Sequence, residues 1–292
     1  MTWLLNPLAL AERMNDTTQD LLVLDCRFDL TDPTLGVNQW SAGHIPGAAY
    51  ADLDQDLSAP VLQGVTGRHP LPSQEAWQQT LRRWGITPDT HIVVYDGANS
   101  MFAARAWWML RWAGLSRVQV LDGGLAAWQA ADLPLNAQLN VRQPSELMSS
   151  CPSDWLVTAD ELVQDAAQYQ LFDARALPRF SGETEPLDHK AGHIPGAVCA
   201  DFAQNLQADG RFRSASELRA RFAELGLAAP ASASSPTCYT EAPATVCYCG
   251  SGVTACHNIL AMQLADLPQP LLYAGSWSEW INDDARPIAT GS

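Results

Sequence analysis

Ala42-Gly-His-Ile-Pro-Gly-Ala48 occurs twice in this chain of 292 residues, and its second copy, Ala191-Gly-His-Ile-Pro-Gly-Ala197, begins 149 positions after the first. A second pair of segments repeats in the same order: Leu24-Asp-Cys-Arg27 returns as Phe172-Asp-Ala-Arg175, 148 positions later. This offset is the length of a whole domain, because solenoid repeats recur about every 20–50 residues. The sequence therefore predicts two related domains.

Each half alternates short apolar runs with segments of helical periodicity, a pattern typical of α/β domains with a mostly parallel sheet flanked by helices. We place the first domain at residues 1–138 and the second at residues 154–292, joined by a polar linker at residues 139–153 that contains prolines. A tract rich in Ala, Pro and Ser at residues 228–244 is predicted to be a surface insertion. The predicted strands are residues 21–25, 92–95, 118–121, 170–173, 245–248 and 271–273, and a helix is predicted over residues 102–112.

The repeated motifs are predicted to be structural. His44 and His193 occur in both halves, so chemistry confined to one half cannot be their shared purpose. We expect each histidine to hydrogen-bond the backbone of a turn that the following proline fixes. The pairs Asp25–Arg27 and Asp173–Arg175 are likewise predicted to be repeated ion pairs.

A cysteine stands between a predicted strand and a predicted helix in the second half. Residues 245–256 read Thr-Val-Cys-Tyr-Cys-Gly-Ser-Gly-Val-Thr-Ala-Cys, with Cys249 before the loop and a helical pattern from about Val253. The first N–H groups of a helix lack partners within it, and with the helix dipole they favour an anion. Gly250 and Gly252 let the backbone curl toward the sulfur. We expect this loop to hold a thiolate, or a persulfide with a second sulfur.

The two halves differ at the position of this cysteine. Val93-Val-Tyr-Asp96 corresponds to Val246-Cys-Tyr-Cys249, with an offset of 153 positions. A carboxylate cannot carry a sulfane sulfur, so nucleophilic chemistry is predicted for the second half alone. A phosphatase of the Cys-x5-Arg type is excluded, because Ala255 stands where its phosphate-binding arginine would be.

The loop Cys249-Gly-Ser-Gly-Val-Thr254 resembles the active-site loop of the rhodanese-type sulfurtransferases, and within them it is most similar to the 3-mercaptopyruvate sulfurtransferases. The resemblance covers nearly the whole chain and implies tandem rhodanese-like domains, the first without a nucleophile. It implies that Cys249 takes sulfur from a small anionic donor as a persulfide and passes it to cyanide, a small thiol or a protein thiol. Ser251 is the further catalytic candidate of the loop, and the predicted donor-binding residues are Gly250, Gly252, Val253 and Thr254.

The resemblance also implies site residues elsewhere in the chain. Asp54 and His69 match an acidic and a histidine position that orient and move a proton at the reaction centre. Arg179 matches an arginine that holds the anionic donor. A second such arginine is expected nine residues later, where this chain has Asp188, and Lys190 is the predicted substitute. This departure keeps thiosulfate open as the donor, although the loop lacks the basic residues typical of rhodaneses that prefer thiosulfate.

The composition of the chain excludes some classes of function. The chain has 17 Lys and Arg against 32 Asp and Glu, a formal charge of −15, which argues against nucleic acid. We find no long apolar stretch, signal peptide, or metal, nucleotide or flavin motif, and expect a protein without cofactor or membrane contact in a reducing cytoplasm. A non-enzymatic thiol sensor is the more distant alternative, and a redox role for Cys247 or Cys256 stays open.

Overall fold

The computed structural model of the protein describes residues 2–227 and 243–291. Most of the insertion predicted at residues 228–244 therefore lies outside the described residues. The chain forms two compact units. Two short segments are exceptions to the division of the chain into halves. Leu62–Arg68, from the first half of the sequence, is part of the second unit, and Leu206–Phe212, from the second half, is part of the first.

The first unit contains a five-stranded parallel sheet with the strand order β1-β5-β4-β2-β3. Helices connect the strands, as parallel pairing requires. The strands are β1 (Leu4–Leu5), β2 (Leu21–Asp25), β3 (Ala49–Tyr50), β4 (His91–Tyr95) and β5 (Val118–Leu121), and the α-helices are α1 (Pro7–Met14), α2 (Leu35–Ala42), α3 (Gln74–Arg83), α4 (Met101–Trp112) and α5 (Gly124–Ala130).

The second unit repeats this plan with a four-stranded parallel sheet in the order β7-β6-β8-β9. A parallel bridge from Leu156 to Leu272 stands where β1 pairs with β5 in the first unit. The elements are β6 (Tyr169–Asp173), β7 (Val198–Cys199), β8 (Ala244–Tyr248), β9 (Leu271–Leu272), α6 (Ala159–Gln164), α7 (Leu177–Phe180), α8 (Ala215–Glu224), α9 (Thr254–Leu264) and α10 (Ser276–Trp280), with 3-10 helices at Ser153–Trp155, Ala166–Gln168 and Phe202–Asn205.

The predicted α/β class, with parallel sheets flanked by helices, is confirmed. The central strands β2 and β4 are buried at every residue but the first, and β8 is buried from Val246 onward, which explains why they read as apolar runs. Helix α4 buries Trp107 and Trp108 completely or nearly so, in agreement with the prediction that its aromatic residues belong to the core.

The repeated motifs have the structural roles that the sequence predicts. Nδ1 of His44 lies 2.8 Å from the carbonyl oxygen of Trp40, and Nδ1 of His193 lies 2.8 Å from that of Phe180. Both histidines are buried. The two Asp–Arg pairs are buried as well, with closest N···O distances of 2.6 Å in each copy. The arginines also donate to the carbonyl oxygens of Gly43 and Gly192, so each pair ties the end of a strand to its turn.

Candidate active site

Cys249 lies where β8 ends, and the loop that follows turns its backbone toward the thiol. The Sγ atom accepts hydrogen bonds from the N–H groups of Ser251 at 3.4 Å and Gly252 at 3.1 Å. Helix α9 begins at Thr254, so the positive end of its dipole lies at the end of the loop that contains Ser251 and Gly252. Cys249 is only 2 % exposed. The predicted anion-binding loop is thus present, and an anionic sulfur is stabilised by fixed backbone dipoles.

Gly252 is required by the shape of the loop. Its φ of +78° lies in the left-handed region, where a side chain is strained, and a β-carbon would collide with the carbonyl oxygen of Ala274. The turn that gives the Gly252 N–H to the sulfur therefore depends on glycine at this position.

A second segment fixes the loop from behind. Ser276 Oγ accepts the backbone N–H of Cys249 at 3.1 Å and donates to the carbonyl oxygen of Tyr273 at 2.9 Å. The N–H groups of Trp277 and Ser278 donate to the carbonyl oxygens of Cys249 and Gly250, both at 2.9 Å. Two of these four hydrogen bonds hold the backbone of Cys249 itself, one holds that of Gly250, and one fixes the Ser276 side chain.

Ser276 is a residue that sequence reasoning missed. It has a φ of +56° although it is not glycine, and the corresponding residue of the first unit is Gly124, with a φ of +57°. A non-glycine residue held in this region is strained, and such strain is often found at functional sites. The available signal was a serine in the second copy at a position that the first copy fills with glycine.

In the corresponding loop of the first unit, a carboxylate of the protein itself accepts the backbone N–H groups. The buried carboxylate of Asp96 accepts N–H groups from Ser100, Phe102 and Ala103 at 3.0, 2.9 and 3.1 Å. Burial raises the pKa of Asp96, and these hydrogen bonds oppose that rise. The N-terminus of α4 thus binds a side chain of the protein itself, in agreement with the prediction that the first half lacks the nucleophile.

Arg179 stands on α7, close to the Cys249 loop. A β-carbon on Gly250 would lie 3.4 Å from its Nη2 atom. The carboxylate of Glu185 receives both Nε and Nη2 of Arg179, at 2.8 to 3.2 Å, and Nη2 also lies 3.2 Å from Asp188. Burial raises the pKa of Glu185, but hydrogen bonds from Arg179 and from backbone N–H groups outweigh it and hold that pKa below its ordinary value. The guanidinium is thus fixed in orientation beside the loop.

A further arginine approaches the same glycine and was missed by the sequence analysis. Arg68 belongs to the second unit, and its Nη2 atom would lie 2.8 Å from a β-carbon on Gly250. Its Nη1 atom forms an ion pair with Asp188. Asp188 thus contacts both arginines. Arg68 stands directly before His69 in the sequence, and only the folded chain brings it next to Asp188.

The other predicted site residues occupy different surroundings. The ammonium of Lys190 is engaged by Asp284 and by the carbonyl oxygen of Ile281. In the first unit, Nε2 of His69 lies 3.6 Å from a carboxylate oxygen of Asp54. Burial, followed by the neighbouring charge of Asp52, raises the pKa of Asp54. The predicted pairing of an acid with a histidine is therefore present within that unit, and their part in the chemistry stays a prediction.

The remaining residues of the loop are arranged around the thiol. Ser251 and Val253 are buried, and Thr254 is half-buried at the first position of α9. None of the six cysteines among the described residues is in a disulfide. Burial raises the pKa of Cys247 well above its ordinary value, which favours a core role for that thiol.

Across residues 2–227 and 243–291, no group of three His, Cys, Asp or Glu side chains is placed to hold a metal ion. No helix within these same ranges has the length and apolar character needed to cross a membrane.

Comparison with known proteins agrees with the duplicated fold and the loop. A family model for the rhodanese-like domain matches the chain twice, at residues 6–131 and 158–283. The chain belongs to the rhodanese family. It is 49 % identical, over 99 % of its length and 98 % of the relative's, to a probable 3-mercaptopyruvate sulfurtransferase of Pseudomonas aeruginosa.

Two further relatives of this rhodanese-family chain differ in the donor that their names give. The structure of SseA from Escherichia coli, described as the rhodanese fold of the 3-mercaptopyruvate sulfotransferases, has a TM-score of 0.79 at 32 % identity and covers 96 % of this chain and all of its own. SseB of Mycobacterium tuberculosis, a putative thiosulfate sulfurtransferase, is 37 % identical over 92 % of this chain and 91 % of its own length.

Proposed function

We propose that this protein is a sulfurtransferase that moves a sulfane sulfur from 3-mercaptopyruvate, through a persulfide on Cys249, to a thiophilic acceptor. The observation that supports it most strongly is the cradle around Cys249. Two backbone N–H groups point at Sγ, helix α9 begins five residues after Cys249, and two arginines flank the loop. This arrangement suits a reaction whose intermediates carry negative charge on sulfur and whose donor is an anion.

In the first half-reaction the thiolate of Cys249 attacks the sulfur of the donor. An S–S bond forms and the C–S bond of 3-mercaptopyruvate breaks, and its electron pair passes to the carbon, where the neighbouring carbonyl delocalises it as an enolate. One proton converts this enolate to pyruvate. The thiol of the donor carries the proton that balances the step, so the cysteine is left as an anionic persulfide and no oxidant is consumed.

The family resemblance assigns that proton to His69 and Asp54, and we include this assignment in the proposal. A histidine can carry a proton near neutral pH, and a carboxylate 3.6 Å away can orient its ring. Ser251, buried in the loop, is proposed to hydrogen-bond the donor, together with Thr254.

In the second half-reaction the acceptor attacks the outer sulfur of the persulfide. Cyanide would leave as thiocyanate, and a thiol would leave as its own persulfide, and in both cases the electron pair of the broken S–S bond returns to Cys249. The N–H groups of Ser251 and Gly252 stabilise the thiolate that is released. Two separate displacements predict ping-pong kinetics.

Thiosulfate is the second candidate donor. The naming of SseB and the carboxylate of Asp188 in place of an arginine both favour it. The two candidate donors are distinguished by their kcat/KM values, measured for 3-mercaptopyruvate and for thiosulfate on one preparation with cyanide as the acceptor. We expect a strong preference for 3-mercaptopyruvate, and a preference for thiosulfate would contradict the proposed donor.

The control for this experiment is Cys249→Ser, with Cys199→Ser as a matched variant of a half-buried cysteine in the same unit. We expect Cys249→Ser to abolish turnover of both donors while the protein stays folded, and Cys199→Ser to retain it. If Cys249→Ser left every sulfur-transfer rate unchanged, turnover would not pass through this thiol, and Cys249 would be left with a sensing or binding role.

A further inference from the structure

The Cys249 loop is flanked by two guanidinium groups, although the second half of the sequence supplies one of them. Measured from a β-carbon built on Gly250, Nη2 of Arg68 lies at 2.8 Å and the two Nη atoms of Arg179 lie at 3.4 and 3.5 Å. Gly250 directly follows the nucleophile. Both positive groups therefore stand beside the residue next to the nucleophile, in the loop that must meet an anionic donor.

Asp188 joins these two arginines. One of its carboxylate oxygens pairs with Nη1 of Arg68, and the other lies 3.2 Å from Nη2 of Arg179. The carboxylate side chain is 4 % exposed, whereas those of Arg68 and Arg179 are 30 % and 21 % exposed. The anion is thus the buried partner, and the guanidinium groups face outward from it.

We propose that Arg68 is the second donor-binding arginine of this enzyme, and that Asp188 is the residue that positions it. The expected second arginine is absent from position 188, and the acidic residue there recruits a guanidinium from the segment Leu62–Arg68 instead. This inference rests on the proposed function, because it assigns the residue that recognises the carboxylate of 3-mercaptopyruvate.

The backbone before Arg68 is built into the second unit. The N–H of Arg68 donates to Ser278 Oγ at 3.0 Å, and the side-chain amide of Asn282 donates to the carbonyl oxygen of Thr66 at 3.0 Å. Gly67 packs so closely against the carbonyl oxygen of Gly275 that a β-carbon would collide with it. The backbone of Arg68 is therefore fixed by the same segment, residues 275–282, that hydrogen-bonds the backbone of Cys249.

The hydrogen-bonding capacity of the arginines, and not a net positive charge, lets the cluster accept an incoming anion. Glu185 pairs with both Arg175 and Arg179, and Asp188 pairs with both Arg179 and Arg68. With Asp173, which pairs with Arg175, three carboxylates face three guanidinium groups. These carboxylates orient the arginines, and the side chains of Arg68 and Arg179 stay 30 % and 21 % exposed. A guanidinium has five N–H donors in a planar fork and can bind a second carboxylate while it keeps the first.

The test uses Arg68→Gln, which keeps a polar side chain of moderate length and removes the charge. KM and kcat are measured for 3-mercaptopyruvate and for mercaptoacetone, which has the same keto-thiol group but no carboxylate. We expect KM for 3-mercaptopyruvate to rise about tenfold or more, the usual loss for one charge-assisted hydrogen bond, with KM for mercaptoacetone nearly unchanged. The matched control is Arg219→Gln, which removes a half-exposed arginine paired with Asp266 in the same unit and should alter neither constant.

A second readout does not depend on turnover. Iodoacetate and iodoacetamide alkylate the same thiol, and only the first is an anion. We expect Arg68→Gln to lower the ratio of their rate constants at Cys249 by about tenfold, because one attractive charge beside the sulfur is lost. Arg68→Lys, which keeps the charge without the planar fork, should retain most of this ratio but not the full affinity for 3-mercaptopyruvate.

A charge exchange separates recognition from structural support. Arg68→Asp should lose the preference for the charged donor, and adding Asp188→Arg should restore much of it, since a guanidinium again pairs with a carboxylate beside the loop. Equal effects of Arg68→Gln on both donors, or an unchanged KM and alkylation ratio, would overturn the assignment. If the wild-type protein used thiosulfate and not 3-mercaptopyruvate, the proposed donor would fall, and the alkylation ratio would still decide the role of Arg68.

Discussion

The hydroxyl oxygen of Ser276 accepts the backbone N–H of Cys249 over 3.1 Å, so the nucleophile is held through its own main chain by a residue 27 positions away. Ser276 keeps a φ of +56° to make this contact, in a conformation that the first unit gives to Gly124. The strain and the hydrogen bond therefore belong to the catalytic copy of the duplicated domain.

Ser276→Ala should lower kcat by about tenfold and the free energy of unfolding by about 1–3 kcal/mol, because it leaves a buried N–H without its acceptor. Ser276→Gly loses the same hydrogen bond but relieves backbone strain of roughly 1 kcal/mol or more. We expect the glycine variant to be the more stable of the two with an equal loss of kcat, measured by urea unfolding and steady-state kinetics. A wild-type kcat in the alanine variant would show that the hydrogen bond has no catalytic consequence.

Asp96→Ala should destabilise the first unit by about 2–4 kcal/mol, because three backbone N–H groups at the start of α4 lose their acceptor. Sulfur loading of Cys249 by the folded variant should be unaffected. The measurement is the urea midpoint together with the amount of persulfide formed per folded molecule. The exposed Asp89 offers a comparison, and an equal loss of stability in Asp89→Ala would argue against the role assigned to Asp96.

His69→Asn should lower kcat for 3-mercaptopyruvate by about 100-fold or more, within the usual range for loss of a general acid or base. The same variant should leave thiosulfate turnover much less affected, because the sulfite released from thiosulfate does not require a proton on carbon. The ratio of the two kcat values, compared with the same ratio in the wild type, checks this expectation. Equal losses with both donors would mean that His69 does not protonate the carbon product.

Glu185 gives the fold a defined dependence on pH. Its pKa in the folded protein lies below the ordinary value of 4.5, so its contribution to stability is present above that value and is lost as the pH falls through the lowered pKa. The stability of the wild type relative to Glu185→Gln should therefore be constant near neutral pH and shrink below about pH 4.5. Urea midpoints of both proteins across this range test the sign, and a difference that grew on acidification would contradict it.

The sequence was sufficient for the parts of the molecule that depend on local pattern. Strands β2, β4, β5, β6 and β8 were predicted to within one residue at each end, because their runs of buried apolar side chains are continuous. The two-residue strands β1, β3 and β7 were not predicted, whereas β9, which is equally short, was predicted at residues 271–273. The loop at Cys249 was predicted because strand, glycines and helix follow one another along the chain.

The parts of the site that depend on distant segments were not predicted. Arg68 and Asp188 are 120 positions apart, and the grouping of Leu62–Arg68 with the second unit has no signature in composition. Sequence proximity favours Lys190 as the substitute for an arginine at position 188, but the ammonium of Lys190 is engaged by Asp284. An acidic residue in place of an expected arginine was the signal that an arginine elsewhere could pair with it.

The most direct test of the account is the mass of the protein after 3-mercaptopyruvate is added in the absence of any acceptor, followed by peptide mapping. We predict that the protein gains the mass of one sulfur atom on Cys249, that cyanide removes it, and that Cys249→Ser gains none. No added sulfur, or sulfur on another cysteine such as Cys199 while Cys249 stays unmodified, would contradict the central claim that Cys249 carries the transferred sulfur.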